Sequence, residues 1–195
     1  LDKHYMINYL ATQKNWQNAF SDTITSFAEL AQALDLPIDS FDSQVGQFPL
    51  KVPRRFVQKM GKGDIHDPLL KQVLPTFQET VQVTGFVTDP LDEQHANPVK
   101  GIIHKYASRV LIPVTGACVV NCRYCFRQHF DYHENLPTQN DWQAISAYIT
   151  AHPAVNEVIL SGGDPLSLSN RRLLEIFTTL EALPQVQTIR IHTRV

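Results

Sequence analysis

The chain has 195 residues, 43% of them hydrophobic, with 17 Lys+Arg against 19 Asp+Glu for a net charge of −2. That length supports one domain with a real core, or a domain with a helical appendage. The interspersed charge advertises neither nucleic acid nor an anionic membrane as partner. The longest mostly apolar stretch, Val110–Val120, is broken by Pro113, Thr115 and Gly116 and is too short to cross a bilayer. No charged-then-apolar leader precedes residue 20, and a secretory signal is not expected. The chain starts at Leu1 and ends at Val195 inside an apparent strand, which points to a fragment of a longer protein.

Residues 1 to about 105 read as a helical N-terminal region of short segments broken by proline and glycine. Ser26 and Glu29 fit a capping box, followed by the stripe Phe27, Leu30, Ala31 and Leu34 ahead of Pro37. Pro53 opens a second candidate helix with Phe56, Val57 and Met60 inward and Gly61 at its C′ position. Asp67-Pro68 starts a third, which must end near Pro75. Asp89 to Pro98, polar and bounded by prolines, reads as a linker or excursion.

From Arg109 the pattern changes. Arg109–Thr115 is a β-rich run, although Pro113 argues against its far half. Asn140 caps a helix with Trp142, Ile145 and Ile149 on one face. Glu157–Leu160 is a short buried-type strand, Asn170–Leu183 a helix with Leu173, Phe177 and Leu180 inward, and Gln187–Val195 a third strand. This βαβ alternation predicts an α/β fold with a parallel sheet: the first βα units of a TIM-type barrel, residues 106–195, truncated within the barrel. Right-handed crossovers then carry the loop after the first strand and the loop after the second to one sheet edge.

The loop after the first strand holds Cys118, Cys122 and Cys125, the only cysteines in the chain. An odd, tight cluster makes a poor disulfide framework and favours a metal or cluster in a reducing cytoplasm. Three thiolates on a four-iron cubane leave one iron open to a chelating ligand. A structural zinc site completed by His129 or His133 is the competing reading. The second loop carries Ser161-Gly162-Gly163-Asp164. Its bland reading is a plain turn. Beside the cysteines, its glycines would let backbone approach a ligand, and Asp164 could accept bonds from an ammonium group. Arg190, His192 and Arg194 alternate along the third strand, facing either anionic ligand groups or an internal ion-pair network.

The spacing Cys-x₃-Cys-x₂-Cys with Tyr124 before the third cysteine resembles the radical S-adenosylmethionine superfamily. His104-Lys-Tyr-Ala-Ser-Arg109, Cys-Phe-Arg127-Gln-His, Ser-Gly-Gly-Asp-Pro-Leu and Ile-Arg-Ile-His-Thr-Arg together resemble the lysine 2,3-aminomutase family. They are most similar to the branch making (R)-β-lysine for elongation factor P. The resemblance implies an isomerase with a [4Fe–4S] cluster, S-adenosylmethionine and pyridoxal phosphate. It implies cluster ligands Cys118, Cys122 and Cys125, and S-adenosylmethionine contacts from Tyr124, Ser161, Gly162, Gly163 and Asp164. Arg127 would take the substrate α-carboxylate, and Lys105, Tyr106 and Arg109 would lie near pyridoxal phosphate. Lys105 stands where the family usually has arginine. The free-lysine mutases instead carry an arginine run after the third cysteine. The family's pyridoxal-holding lysine and the carboxylates for the distal ammonium fall beyond Val195 in its pattern. The implied partners are lysine and an electron donor such as flavodoxin or ferredoxin, with a homo-oligomer admissible. A free-lysine or glutamate aminomutase of metabolism is the alternative within the enzyme class.

Overall fold

A computed structural model of the chain describes residues 21–41 and 49–194. It divides into two compact units, Leu1–Gly85 with Val119–Cys125, and Phe86–Cys118 with Phe126–Val195.

In the first unit, β1 (Thr23–Ile24) pairs antiparallel with β2 (Val52–Pro53). Helix α1 (Phe27–Ala33) lays the expected stripe inward, with Leu30, Ala31 and Leu34 buried. Ser26 does occupy the N-cap, but its side chain makes no cap bond. Glu29 turns instead to Arg54, whose Nε also meets Asp22 at 2.9 Å, so a stronger charged partner outcompetes the capping box. Helix α2 (Arg54–Val57) has Pro53 at its N-cap and buries Val57 and, beyond its end, Met60. Gly61 is not the left-handed terminator that its position suggests. Its N–H is satisfied by the Asp67 carboxylate at 2.9 Å, which removes the need for a C′ turn. Asp67 also accepts the N–H groups of Leu69 and Leu70, so it caps the 3₁₀ turn Leu70–Gln72 rather than opening an α-helix. Leu70, Leu34, Val52 and Ile24 meet in one core, each fully buried, at about 1.5–3 kcal/mol per side chain.

The second unit is a mixed α/β layer built on a four-stranded sheet in the order β3-β4-β5-β6. Strand β3 (Ile103–Tyr106) forms an antiparallel hairpin with β4 (Arg109–Thr115), while β4, β5 (Glu157–Gly162) and β6 (Thr188–Ile191) run parallel. Sequence periodicity missed β3, which has only four residues. Strand β4 runs through Pro113 because β3 pairs no further than Leu111, so the missing N–H costs no bond on that side. A register shift follows between Pro113 and Thr115.

Helix α3 (Tyr132–Asn135) is capped by Asp131. Helix α4 (Asp141–Ala151) buries Trp142, Ile145 and Ile149 as its spacing requires. Asn140 sits at its N-cap without a side-chain bond, and Asp141 ties the entry by accepting the N–H and hydroxyl of Thr138, both at 2.7 Å. Helix α5 (Asn170–Glu181), capped by Ser169, turns Ile176 and Leu180 fully inward and leaves Leu173 and Phe177 half-buried. The two helices share one core with Val110, Ile112, Val158 and Leu160. Residues 89–98 are no linker. They fold into this unit around a 3₁₀ turn, Gln94–Ala96, and bury Glu93.

Candidate functional site

Parallel strands β4 and β5 finish at the same sheet edge, with Thr115 opposite Gly162, and the two motif loops leave from there. Gly163 N–H donates to Thr115 O at 2.6 Å, and Asp164 N–H donates to Ala117 O at 2.8 Å. The Ser167 hydroxyl reaches the same Ala117 carbonyl at 3.2 Å. The residue before Cys118 is thus pinned by the Gly-Gly-Asp loop. A Cβ on Gly163 would sit 2.3 Å from Ala117 O, and one on Gly162 2.5 Å from Thr115 O. Gly162 also has φ +106°, outside the range of ordinary L-residues. The glycines therefore admit the neighbouring loop's backbone, where the sequence suggested room for a ligand.

Asp164 is buried and fully engaged in holding this edge. Its carboxylate accepts Leu166 N–H at 3.0 Å, the Thr193 hydroxyl at 2.7 Å and Arg194 N–H at 2.8 Å. It ties the exit of β5 to the exit of β6. On the same strand Arg190 is paired with Glu157 of β5 at 2.8 Å, which favours the ion-pair reading over an anionic ligand for that residue.

The chain leaves the second unit after Cys118 and returns at Phe126. Within the first unit the intervening loop is stitched down by its main chain. Asn121 N–H donates to Lys51 O at 2.9 Å, and Arg123 N–H donates to Gln72 O at 2.8 Å. The Asn121 side-chain amide adds a bond to Pro49 O at 2.9 Å. Arg123 reaches the Thr76 hydroxyl at 3.0 Å and pairs with Glu79, the two residues of a true capping box over Phe77–Thr80. That Thr-x-x-Glu pattern was readable in the sequence and is the signal that marks what anchors the loop. Cys122 and Cys125 share one turn, with Cys125 N–H on Cys122 O at 3.0 Å.

All three cysteines are partly exposed and none is in a disulfide. Among the described residues no three Cys, His, Asp or Glu side chains form one metal-sized group. The donor set fits an iron–sulfur cluster by type and spacing: three reduced thiols, none in a disulfide, within eight residues of sequence. The zinc alternative finds little support in its fourth ligands. His133 is exposed and paired with Glu134, and His129 is exposed.

Arg127, two residues past Cys125, is buried in the second unit. Its Nε and Nη2 grip the Glu93 carboxylate at 2.8 and 2.6 Å, its Nη1 donates to Ser161 Oγ at 2.9 Å, and its plane lies over Phe126 at 4.7 Å. Glu93 escaped sequence reasoning because 34 residues separate it from its partner.

Lys105 and Tyr106 end β3 and Arg109 opens β4, with Tyr106 opposite Arg109 and Arg109 in register with Glu157. That is the sheet edge opposite the Cys118 loop, so the structure does not gather them with the other candidates. Lys105 donates to Leu91 O. Arg109 stacks over the exposed Tyr106 ring at 4.8 Å, and its Nε–H is buried with no acceptor among the described residues. A phosphate oxygen would satisfy that orphaned donor. Tyr124 is exposed at 64%.

A loop that leaves the C-terminal edge of parallel strands at Cys118 and carries two further cysteines in its next seven residues defines the class of the chain. Residues 107–193 match the family described as a 4Fe-4S single cluster domain. The chain belongs to the lysine 2,3-aminomutase family of the radical S-adenosylmethionine superfamily. It is 44% identical over 185 residues to the L-lysine 2,3-aminomutase of Haemophilus influenzae, covering 93% of this chain and 55% of that protein. The Escherichia coli L-lysine 2,3-aminomutase is 43% identical over 187 residues, covering 94% of this chain and 54% of its own. That of Clostridium subterminale is 30% identical over 189 residues, covering 94% and 45%. The chain thus spans about half the length of the curated relatives it matches.

Proposed function

We propose that the whole protein is an isomerase: a radical S-adenosylmethionine, pyridoxal-phosphate-dependent aminomutase that converts L-lysine to (R)-β-lysine for modifying elongation factor P. One observation carries this reading. The Cys118 loop and the Ser-Gly-Gly-Asp loop are hydrogen-bonded together at the end of two parallel strands, which is where a barrel enzyme assembles its chemistry. Strands β4, β5 and β6 are neighbours in chain order with no reversal, as winding of a barrel in one direction requires and an open doubly wound sheet does not. The proposed first barrel units run over residues 106–195, and the Glu93 segment and β3 fold with them rather than with the N-terminal region.

In this reading Cys118, Cys122 and Cys125 hold the cluster, and Tyr124 and the backbone of residues 161–164 border S-adenosylmethionine. Arg127 receives the α-carboxylate of lysine, while Lys105, Tyr106 and Arg109 hold the phosphate end of pyridoxal phosphate. When bound, the cluster with its ligand would supply radical initiation and pyridoxal phosphate would supply an electron-delocalising ring at the substrate nitrogen. The chain's own residues bind, orient and exclude water. Closer overall similarity to the H. influenzae and E. coli proteins than to the C. subterminale protein supports assignment to their branch. So does the single Arg127 in Cys-Phe-Arg-Gln-His. Turnover takes place in a cytoplasmic setting with a small redox protein as electron donor.

The test is incubation of the full-length protein with reductant, S-adenosylmethionine and pyridoxal phosphate, presenting L-lysine, L-glutamate and other amino acids singly. β-Lysine alone is the expected product. β-Glutamate, or no β-isomer from any substrate, overturns the proposal.

A further inference from the structure

We propose that Glu93 is the positioning residue of the substrate-carboxylate site: it holds the guanidinium of Arg127 in place before substrate arrives. This rests on the reading above in which Arg127 binds the α-carboxylate of lysine. The pair is built, not incidental. The side chains of Arg127 and Glu93 are 7% and 6% exposed, and the contact is a two-bond, side-on grip through Nε and Nη2. A buried guanidinium without a counter-ion is strongly unfavourable, so an Arg127 waiting for substrate needs a resident anion. Glu93 supplies it from the chain itself.

The geometry also leaves Arg127 capacity to bind. A guanidinium has five N–H donors. Glu93 takes two and Ser161 Oγ a third, each from a different nitrogen, leaving one donor on each terminal nitrogen. A second carboxylate can join without displacing the first.

The segment carrying Glu93 is made for holding it. Asp89 Oδ1 accepts Glu93 N–H at 3.0 Å, and Asp92 adopts φ +52°. Lys105 of β3 clamps Leu91 O. A left-handed aspartate is strained and persists only where surrounding contacts over-determine it.

The experiment uses full-length protein with cluster and pyridoxal phosphate loaded, without reductant. Titration follows the pyridoxal absorbance with L-lysine and with 1,5-diaminopentane, which lacks the carboxylate. The variants are E93Q, R127Q and the double variant. E93Q is expected to weaken L-lysine binding about tenfold and 1,5-diaminopentane less than twofold, with no added loss on top of R127Q. With reductant, the same variant raises KM for L-lysine and leaves kcat within about threefold.

Unchanged L-lysine affinity in E93Q, beside a loss in R127Q, overturns the role of Glu93 and spares that of Arg127. R127Q that weakens both ligands equally, or neither, removes the reading underneath. Tighter L-lysine binding in E93Q would mean that Glu93 occupies the carboxylate's own place, and would overturn the proposal. Equal loss of both ligands in E93Q marks a merely structural role and overturns it too. If E93Q does not accumulate folded, E93D, which keeps the buried charge but shortens its reach to Arg127 Nε and Nη2, carries the same selective-loss test at about threefold.

Discussion

Gly163→Ala tests the physical basis of the loop pairing. The added methyl would lie 2.3 Å from Ala117 O, 2.7 Å from Ala117 C and 2.8 Å from Gly116 C, all backbone, where ordinary contact begins at 3.4 Å. No side chain can move aside, so the two loops must separate by about 1 Å. That carries the Gly163–Thr115 and Asp164–Ala117 bonds, now 2.6 and 2.8 Å, past useful range. Overpacking contributes about 1–3 kcal/mol and each of the two lost bonds about 1 kcal/mol, for an expected destabilisation of about 3–5 kcal/mol. Gly85→Ala is the comparator: its φ is +88°, a strain Gly163 does not carry, and nothing lies within 4 Å of the added methyl, so only backbone strain of about 1–2 kcal/mol applies. The assay is urea unfolding of the full-length variants, with iron per chain measured after anaerobic reconstitution. G163A should lose more stability than G85A and retain less iron, because Ala117 leads directly into Cys118. A G163A protein no less stable than G85A, with full iron, would refute the packing argument.

Other outcomes follow from the same structure. Replacing Cys118, Cys122 or Cys125 singly with alanine should abolish the thiolate-to-iron absorption at about 400 nm in reconstituted protein; a single variant that keeps it would remove that residue from the ligand set. Asp67 is held below the usual carboxylate range by the N–H groups of Gly61 and Leu70. A depressed folded pKa means that its stabilisation is present above about pH 4 and lost as pH falls below it. Unfolding followed from pH 6 to 2.5 should therefore show an acid-side loss that Asp67→Ala flattens; identical slopes would refute this. Leu160→Ala, at a fully buried position on β5, should cost about 2–5 kcal/mol in the same unfolding assay.

Sequence and structure agree where the information is local. The stripe Leu30–Ala31–Leu34, the face Trp142–Ile145–Ile149 and the strand at Glu157 were legible because period and burial coincide. The cysteine spacing was legible because ligand chemistry demands it. What escaped was set by distant partners. Ser26 lost its cap role to the attraction between Glu29 and Arg54, 25 residues apart. The segment 89–98 looks like linker by composition, yet its one buried acid, Glu93, faces Arg127 across the fold. Gly162 and Gly163 announced a tight backbone approach, but only the strand register reveals that the neighbour is the Cys118 loop. The N-terminal region gave no sign, apart from Thr76 and Glu79, that it would anchor Arg123 between Cys122 and Cys125.

Formation of 5′-deoxyadenosine from S-adenosylmethionine by reduced, reconstituted full-length protein tests the central claim most directly. The account predicts stoichiometric or greater 5′-deoxyadenosine from the native sequence and none from Cys122→Ala. Reconstituted protein with four irons per chain that leaves S-adenosylmethionine intact under reduction would contradict it.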